Sequence, residues 1–319
     1  MQPLEQIAPQ VARGKFVESL WDNPRFMAEE KLDGERFKMH IFENGNRFDS
    51  RTISKKTDRF TEKTDNVPHL RDIKLPRLAG TILDGEIKFG GDSMSTSTIM
   101  GCLPEEAVKR QQEAAAWVKY YVFDIIKFKG EDVRHRGYAK RREMLLDVLG
   151  MIRSSDIRLP DYTYDNKKKF CDSIFANGGE GVILKDINAP YTDKKAWIKV
   201  KAVATFDVVI MGYEEATPET IKKGDDKATI SRLAANGWIG AVVFGQYVNG
   251  KLKKFGQASG MPDDIRAKYS ENKAKHIGQV IKIEAQSRIP KTGYFRHPRF
   301  LDERPDKRAE QCVYWEDES

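Results

Sequence analysis

The sequence predicts an α+β chain with largely antiparallel sheets, followed by a small β-barrel. Three observations lead there. Strand-like and helix-like runs interleave through residues 1–203 without a strict βαβ repeat. After Val203 the texture changes to short strand-like runs with a single helical candidate among them. The chain has 319 residues, enough for two domains at about 100–200 residues each. We place the domains at 1–203 and 204–319.

RFKMHIF (Arg36 to Phe42), GTILDGEIKF (Gly80 to Phe89) and the aromatic-rich WVKYYVFDIIKF (Trp117 to Phe128) read as strands, with glycine punctuation nearby. Between the last two, PEEAVKRQQEAAAW opens with Pro104 and two early carboxylates, as helix N-termini do. YAKRREMLLDVLG reads as a helix with Gly150 as its C-cap, and NKKKFCDSIFANGG as another ending in glycines. GVILKD and AWIKVKA follow as strands. In the second part FDVVIMGY, WIGAVVFGQYVNG, KLKKFGQASG and GQVIKIEAQ read as strands, and PDDIRAKYSENKAKH as one helix. Such a strand count suggests an OB-fold. The polar segment Glu214 to Gly237 lacks a core face and reads as an insertion or an ordinary surface loop.

Composition narrows the class. Hydrophobic residues make up 39% and charged residues 32%, so a packed core is expected. No run approaches the ~20 apolar residues of a membrane span, and the N-terminus has no apolar signal region. Three widely separated cysteines, Cys102, Cys171 and Cys312, exclude a CxxC zinc site and a disulfide scaffold and suit a reducing cytoplasm. The 55 Lys+Arg against 48 Asp+Glu give a net charge of +7, which permits polyanion binding without identifying it.

Six clusters carry possible chemistry. Glu29-Glu30-Lys31-Leu32-Asp33-Gly34-Glu35-Arg36 gathers an amine, carboxylates and a guanidinium in a few residues. An amine is a poor nucleophile at its usual pKa of ~10.4, but nearby cations or desolvation make it reactive, and an arginine can hold a phosphate in a fork. The plain alternative is a charged turn entering a strand. In Leu83-Asp84-Gly85-Glu86-Ile87 the two acids share a strand face inside an apolar context, where carboxylates are costly unless they meet a metal, a cation or a ligand hydroxyl. They could also face solvent on an edge strand. Phe123 in YYVFD could stack on a base or simply pack in the core. Glu180 sits among glycines in GGEGVILK, and Lys199 and Lys201 share one face of WIKVK, where an anion between them would relieve repulsion. A lysine-guarded edge strand is the alternative there. Last comes the cationic run Phe295 to Phe300 and Asp302 to Arg308.

In order and content, KLDGER, LDGEI, YYVFD, EGVILK, WIKVK and FRHPRF-DERPDK resemble the nucleotidyltransferase motifs of ATP-dependent DNA ligases. Arg51 in FDSRTISKKT fits the extra arginine between the first two, and GEDVRHRGYAKRREML resembles the segment after the aromatic-Asp motif. The resemblance runs from about Glu29 to Lys307. It implies an adenylation (nucleotidyltransferase) domain followed by an OB domain. It also implies a reaction in which Lys31 takes AMP from ATP, passes it to a 5′-phosphate at a nick in double-stranded DNA, and a 3′-hydroxyl then displaces AMP.

By the same resemblance Glu29 would face the adenine edge and Phe123 would stack on the base. Arg36 and Arg51 would serve ribose or phosphate. Glu86 and Glu180 would contact ribose or hold Mg²⁺, with Mn²⁺ as a substitute. Lys199 and Lys201 would grip the α-phosphate. Arg299, Arg304, Asp306 and Lys307 would orient the departing pyrophosphate when the OB domain closes. Only thirty residues precede Lys31, so a minimal ligase of phage, viral or accessory bacterial type is expected, acting as a cytoplasmic monomer. Such an enzyme needs another grip on DNA, and the segment 214–237, with Lys222, Lys223, Lys227 and Arg232, is the candidate latch. One departure is His297, where an aromatic or other residue is more usual; it would pack inertly or, near phosphates, add a pH dependence around ~6.5. RNA ligases and mRNA-capping guanylyltransferases share the core motif, and a non-catalytic OB-type nucleic-acid-binding protein is a more distant reading.

Overall fold

The computed structural model describes residues 3–221, 228–286, 288–289 and 292–314. The chain divides into two units, Met1–Lys201 and Ala202–Ser319.

The first unit carries strands β1 (Phe26–Glu30), β2 (Glu35–Phe42), β3 (Gly45–Ile53), β4 (Phe60–Glu62), β5 (Ile82–Lys88), β6 (Lys119–Phe128), β7 (Glu131–Asp132), β8 (Ile157–Arg158), β9 (Tyr162–Thr163), β10 (Gly181–Asp186) and β11 (Trp197–Lys201). Its main helices are α1 (Pro68–Arg71), α2 (Ser93–Met100), α3 (Pro104–Glu113), α4 (Tyr138–Met151) and α5 (Lys167–Ala176). A seven-stranded sheet runs β4-β3-β2-β5-β6-β7, with β8 parallel to β6, and a four-stranded sheet runs β11-β10-β1-β9. All other strand pairs in the two sheets are antiparallel.

Alternation along the strands decides which face is core. On β2 and β5, Phe37, Met39, Ile41, Leu83 and Ile87 are buried with Tyr120 and Val122 in the largest apolar cluster. The intervening residues Arg36, Lys38, Asp84 and Glu86 point to the other face. On the smaller sheet Ala28, Val182, Leu184 and Ile198 pack against Cys171 of α5, leaving Glu29, Ile183 and Lys199 in register on the opposite face. The polar faces of the two sheets meet: the Arg36 guanidinium of the large sheet lies 5.5 Å from the Trp197 ring of the small one. The chain before β1 lies against the same region. Lys38 Nζ donates to the Ile7 carbonyl at 2.8 Å, and the Gln10 amide N–H donates to the Tyr191 hydroxyl at 3.0 Å.

The second unit carries β12 (Ala204–Glu215), β13 (Glu219–Ile221), β14 (Ala228–Ile230), β15 (Ile239–Val248), β16 (Lys251–Ala258), β17 (Val280–Ala285) and β18 (Arg299–Glu303), with α6 (Arg232–Ala235), α7 (Asp263–Glu271) and α8 (Lys273–His276). Five strands form an antiparallel sheet in the order β16-β15-β12-β17-β18. Its two ends approach each other where the Phe300 amide donates to the Ser259 carbonyl at 2.9 Å, which curls the sheet around Val208, Ile210, Phe244, Ile281 and Phe295.

Several elements differ from expectation. Helix α4 runs through Gly150 and ends with Ile152 as its C-cap. The single helix expected over 262–276 is broken at Asn272, whose side chain accepts from the Lys275 amide at 3.2 Å and starts α8. In the segment 214–237, β13 pairs antiparallel with β14, and Ser231 caps α6; Lys222, Lys223 and Lys227 lie outside the described residues. His297 is exposed and adopts a positive φ of 50°. Strands β1 and β3 and helix α2 were not apparent in the sequence. Helix α2 is announced by Asp92, whose Oδ1 accepts from the Ser95 amide at 2.8 Å.

Helix α4 buries Tyr138, Arg141, Arg142, Leu145 and Val148 on one stripe. Arg141 reaches Asp124 of β6 through Nε and Nη2, both at 2.8 Å, with neither side chain exposed. Removing one partner strands the other charge in the interior. Asp124→Ala is expected to destabilise the first unit by about 3–5 kcal/mol, read as a lower urea midpoint at unchanged slope; an unchanged midpoint would refute this role.

Candidate active site

The site is built on the polar face of the small sheet. Register aligns Glu29 with Ile183 and Lys199, and Gly181 with Lys201. Lys31 directly follows β1, and its amide donates to the Gly181 carbonyl at 2.8 Å, so the pairing of β1 with β10 sets where the amine emerges. Lys31 Nζ is paired with Glu180 Oε2. Lys201 Nζ is 2.7 Å from the other oxygen, Oε1. One carboxylate therefore holds two amines.

Two glycines make this possible. A Cβ on Gly34 would lie 2.3 Å from the Ile87 carbonyl and 2.9 Å from Glu86 Cγ, and a Cβ on Gly181 would lie 2.1 Å from the Val200 carbonyl. Gly181 also has a φ of +138°. A side chain at either position would push apart the backbone strands on which Lys31, Glu86 and Glu180 are carried.

From the large sheet, Arg36 and Glu86 are directly opposed on β2 and β5. Burial pushes the Glu86 carboxyl up to about 7, a rise opposed by Lys31 and Arg36 and reinforced by Glu180. Arg36 is clamped in a fork by Asp84, with Nε to Oδ1 at 2.9 Å. The Tyr191 hydroxyl donates to the same carboxylate at 2.6 Å, and Arg36 Nη1 donates to the Gln10 carbonyl. Burial works against the Arg36 cation, but Asp84 outweighs it and the guanidinium stays firmly protonated. The guanidinium lies 5.2 Å from the Phe123 ring, which meets Trp197 edge-on at 5.7 Å. Arg51 is exposed on β3, within electrostatic reach of Glu86 and Lys199.

Glu29 is 2% exposed and locked by groups that sequence reasoning gave no role. Lys185 Nζ donates to its Oε1, Arg142 Nη1 donates to its Oε2 at 3.0 Å, and the Tyr138 hydroxyl donates to Oε2 at 3.2 Å. Lys185 lies within the quoted EGVILK segment and Arg142 within RREML. The helical spacing of Tyr138, Arg141, Arg142 and Leu145 was the signal that these arginines face inward.

The remaining expected residues belong to the second unit, where Arg304, Asp306 and Lys307 form a group of their own. Asp207, which was not anticipated, accepts from Arg304 Nη1 at 2.8 Å and Lys307 Nζ at 2.6 Å. Arg304 also forks Asp306 at 2.9 and 2.8 Å, which holds the Asp306 carboxyl down at about 2. Arg299 stands apart, exposed, 3.7 Å from Glu284. Arg232 is forked by Asp263 at 2.7 and 2.9 Å.

Residues 9–201 match the family model described as the ATP dependent DNA ligase domain. The chain belongs to the ATP-dependent DNA ligase family. A DNA ligase of Methanoculleus marisnigri is 25% identical over 98% of this chain and 57% of its own length. A DNA ligase 1 of Korarchaeum cryptofilum is 28% identical over 60% of this chain and 35% of its own. The chain thus spans 35–57% of the length of these ligase relatives. Among solved structures, one from a structure-function analysis of Lig E DNA ligases superposes with a TM-score of 0.58 at 18% identity, covering 95% of this chain and 100% of that one. The ligase domain of M. tuberculosis LigD gives 0.51 at 20% identity over 97% and 98%. These likenesses concern the fold, a nucleotidyltransferase domain followed by an OB domain.

In this family member, burial lowers the Lys199 amine, as do Lys201 and Lys31, while Glu180 raises it. Removing the Glu180 charge removes the one opposing influence among these. Glu180→Gln is therefore expected to move the Lys199 titration to lower pH, giving more neutral amine at any given pH. Amine labelling of Lys199 against pH, read by mass spectrometry, tests this; an upward shift would contradict it.

Proposed function

We propose that the chain is an ATP-dependent DNA ligase that seals nicks in duplex DNA through a lysyl-AMP intermediate. The observation that carries the reading is Lys31 held at Glu180 beside Lys201, with Glu86 and Lys199 within electrostatic reach. In the first step the neutral Lys31 amine attacks the α-phosphorus of ATP. A P–N bond forms, the P–O bond to pyrophosphate breaks, and the amine loses its proton. The nick 5′-phosphate then displaces the lysine by attacking the same phosphorus. Finally the 3′-hydroxyl attacks the activated 5′-phosphorus and AMP leaves.

Lys199 and Lys201 neutralise the α-phosphate, where charge rather than covalent chemistry decides the rate. Arg36, already fixed by Asp84, and exposed Arg51 contact ribose or phosphate. Glu29 and Phe123 contact the adenine. We assign the pyrophosphate side to Arg299, Arg304, Asp306 and Lys307. Contact with DNA beyond the nick is assigned to Lys222, Lys223 and Lys227, with Arg232 free to join only if Asp263 lets it go. We infer a monomer.

Among the described residues no group of three His, Cys, Asp or Glu side chains is placed to hold a metal alone. Mg²⁺ fits such a site, because it keeps several waters and needs only one or two carboxylates plus phosphate oxygens. Glu86 and Glu180 are the pair that influence each other electrostatically and would hold it. Bound there, the ion neutralises phosphate charge. Among the described residues no helix is long and apolar enough to cross a membrane.

Lys31→Ala should abolish the covalent AMP adduct and ATP-dependent sealing, while sealing of a pre-adenylylated nick is partly retained. The measurement is radiolabel transfer from ATP to protein, with a gel assay on nicked DNA. An undiminished adduct would remove Lys31 from its role. Label taken only from GTP would indicate a capping enzyme, and sealing of nicked RNA alone an RNA ligase. Arg304→Ala should lower adduct formation from ATP and leave the pre-adenylylated substrate largely unaffected.

A further inference from the structure

The buried lock on Glu29 costs more than a structural role would require. Arg142 is 2% exposed, and its Nε and Nη2 have no hydrogen-bond partner among the described residues. Its guanidinium lies 3.8 Å from the Tyr162 ring. Lys185 is 1% exposed. A carboxylate buried with two cations is a weak stabiliser, and well-packed apolar residues commonly do as well. What the arrangement supplies instead is a carboxylate held in one orientation.

The same ammonium also holds the aromatic side of the site. Lys185 Nζ donates to the Phe123 carbonyl at 3.2 Å and to the Tyr138 hydroxyl at 3.2 Å. It lies 4.4 Å from the Trp197 ring and 4.9 Å from the Phe123 ring. One buried cation therefore sets the acid that would read a base edge and the strand segment whose ring would cover the base face.

We propose that Lys185 and Arg142 are the positioning residues that make this site select a 6-amino purine over a 6-oxo purine. An ionised carboxylate only accepts hydrogen bonds. It accepts from the 6-amino group of adenine and opposes the 6-oxygen of guanine or hypoxanthine, acceptor against acceptor. Without the Lys185 and Arg142 donors the carboxylate is no longer held with its acceptors toward the base edge, and the distinction between a 6-amino group and a 6-oxygen weakens. The inference rests on reading Glu29 and Phe123 as base contacts.

The experiment compares adduct formation from ATP and ITP, as kcat/KM, in the wild-type chain and in Lys185→Met, Arg142→Met and Arg142→Lys. Lys185→Met and Arg142→Met are expected to lower the ATP:ITP preference at least tenfold, chiefly through a higher KM for ATP. Arg142→Lys, which keeps a cation, should restore most of it. A purely structural role would depress both nucleotides together; an unchanged ratio in both methionine variants overturns the proposal. If Lys185→Met does not fold by circular dichroism, the two Arg142 variants decide the matter alone. Failure of the underlying reading looks different. If the wild type forms no adduct with any nucleotide, the ligase function itself is lost. If Glu29→Ala leaves the ratio intact, the base contact is misplaced and the selection proposal falls with it.

Discussion

Glu180 is shared by Lys31 and Lys201, and most of the first unit is arranged so that this can happen. The carboxylate stands at the start of β10, one amine follows β1, and the other ends β11. Only the antiparallel pairing of all three strands brings them together. A one-residue slip would turn every one of these side chains to the other face. That register is protected from behind by Ala28, Val182, Leu184 and Ile198, packed on α5. The apolar core of the small sheet thus fixes the chemistry on its opposite face.

The face of the large sheet turned away from its apolar core is unusually charged for an interior. Arg36 meets Asp84, Lys38 and His40 meet Asp49 at 2.9 and 2.8 Å, and Arg141 meets Asp124. Buried pairs of this sort contribute little net stability because desolvation offsets the attraction. Their effect is geometric. Each fork leaves its side chain one orientation, and the rings of Phe123 and Trp197 lie against the Arg36 fork. Stability comes mainly from the apolar cluster on the far face of the large sheet.

Much of this was legible in the sequence, for identifiable reasons. Strands β2, β5 and β6 declared themselves by apolar runs, and α3 by Pro104 and its early acids. Asp84 and Glu86 were recognised as sharing a face in an apolar context, and Asp84 proved wholly buried. Strand β1 was hidden because Glu29, Glu30 and Lys31 read as a charged turn; its polar residues face an interior that is itself polar, so binary patterning fails there. Arg141 and Arg142 face the same polar interior, and their helical spacing with Tyr138 and Leu145, rather than their polarity, is the sign of it. Gly150 misled because a helix interior tolerates a glycine when its other residues pack. Long-range partners such as Gln10 and Tyr191 leave no local signal at all.

The second unit repeats the principle on a smaller scale. Asp207, near the start of β12, gathers Arg304 and Lys307, which arrive by way of the turn after β18. The sequence singled out those two cations but not the acid that organises them, since the acid lies about a hundred residues away. An aspartate between two cations keeps them from repelling each other while no anion is present. It also orients both toward one region. A phosphate-bearing ligand would then meet cations already held in place, so that less conformational entropy is lost on binding. Arg299, exposed and only loosely paired with Glu284 at 3.7 Å, lacks that preparation, so any anion it met would first have to order a flexible side chain.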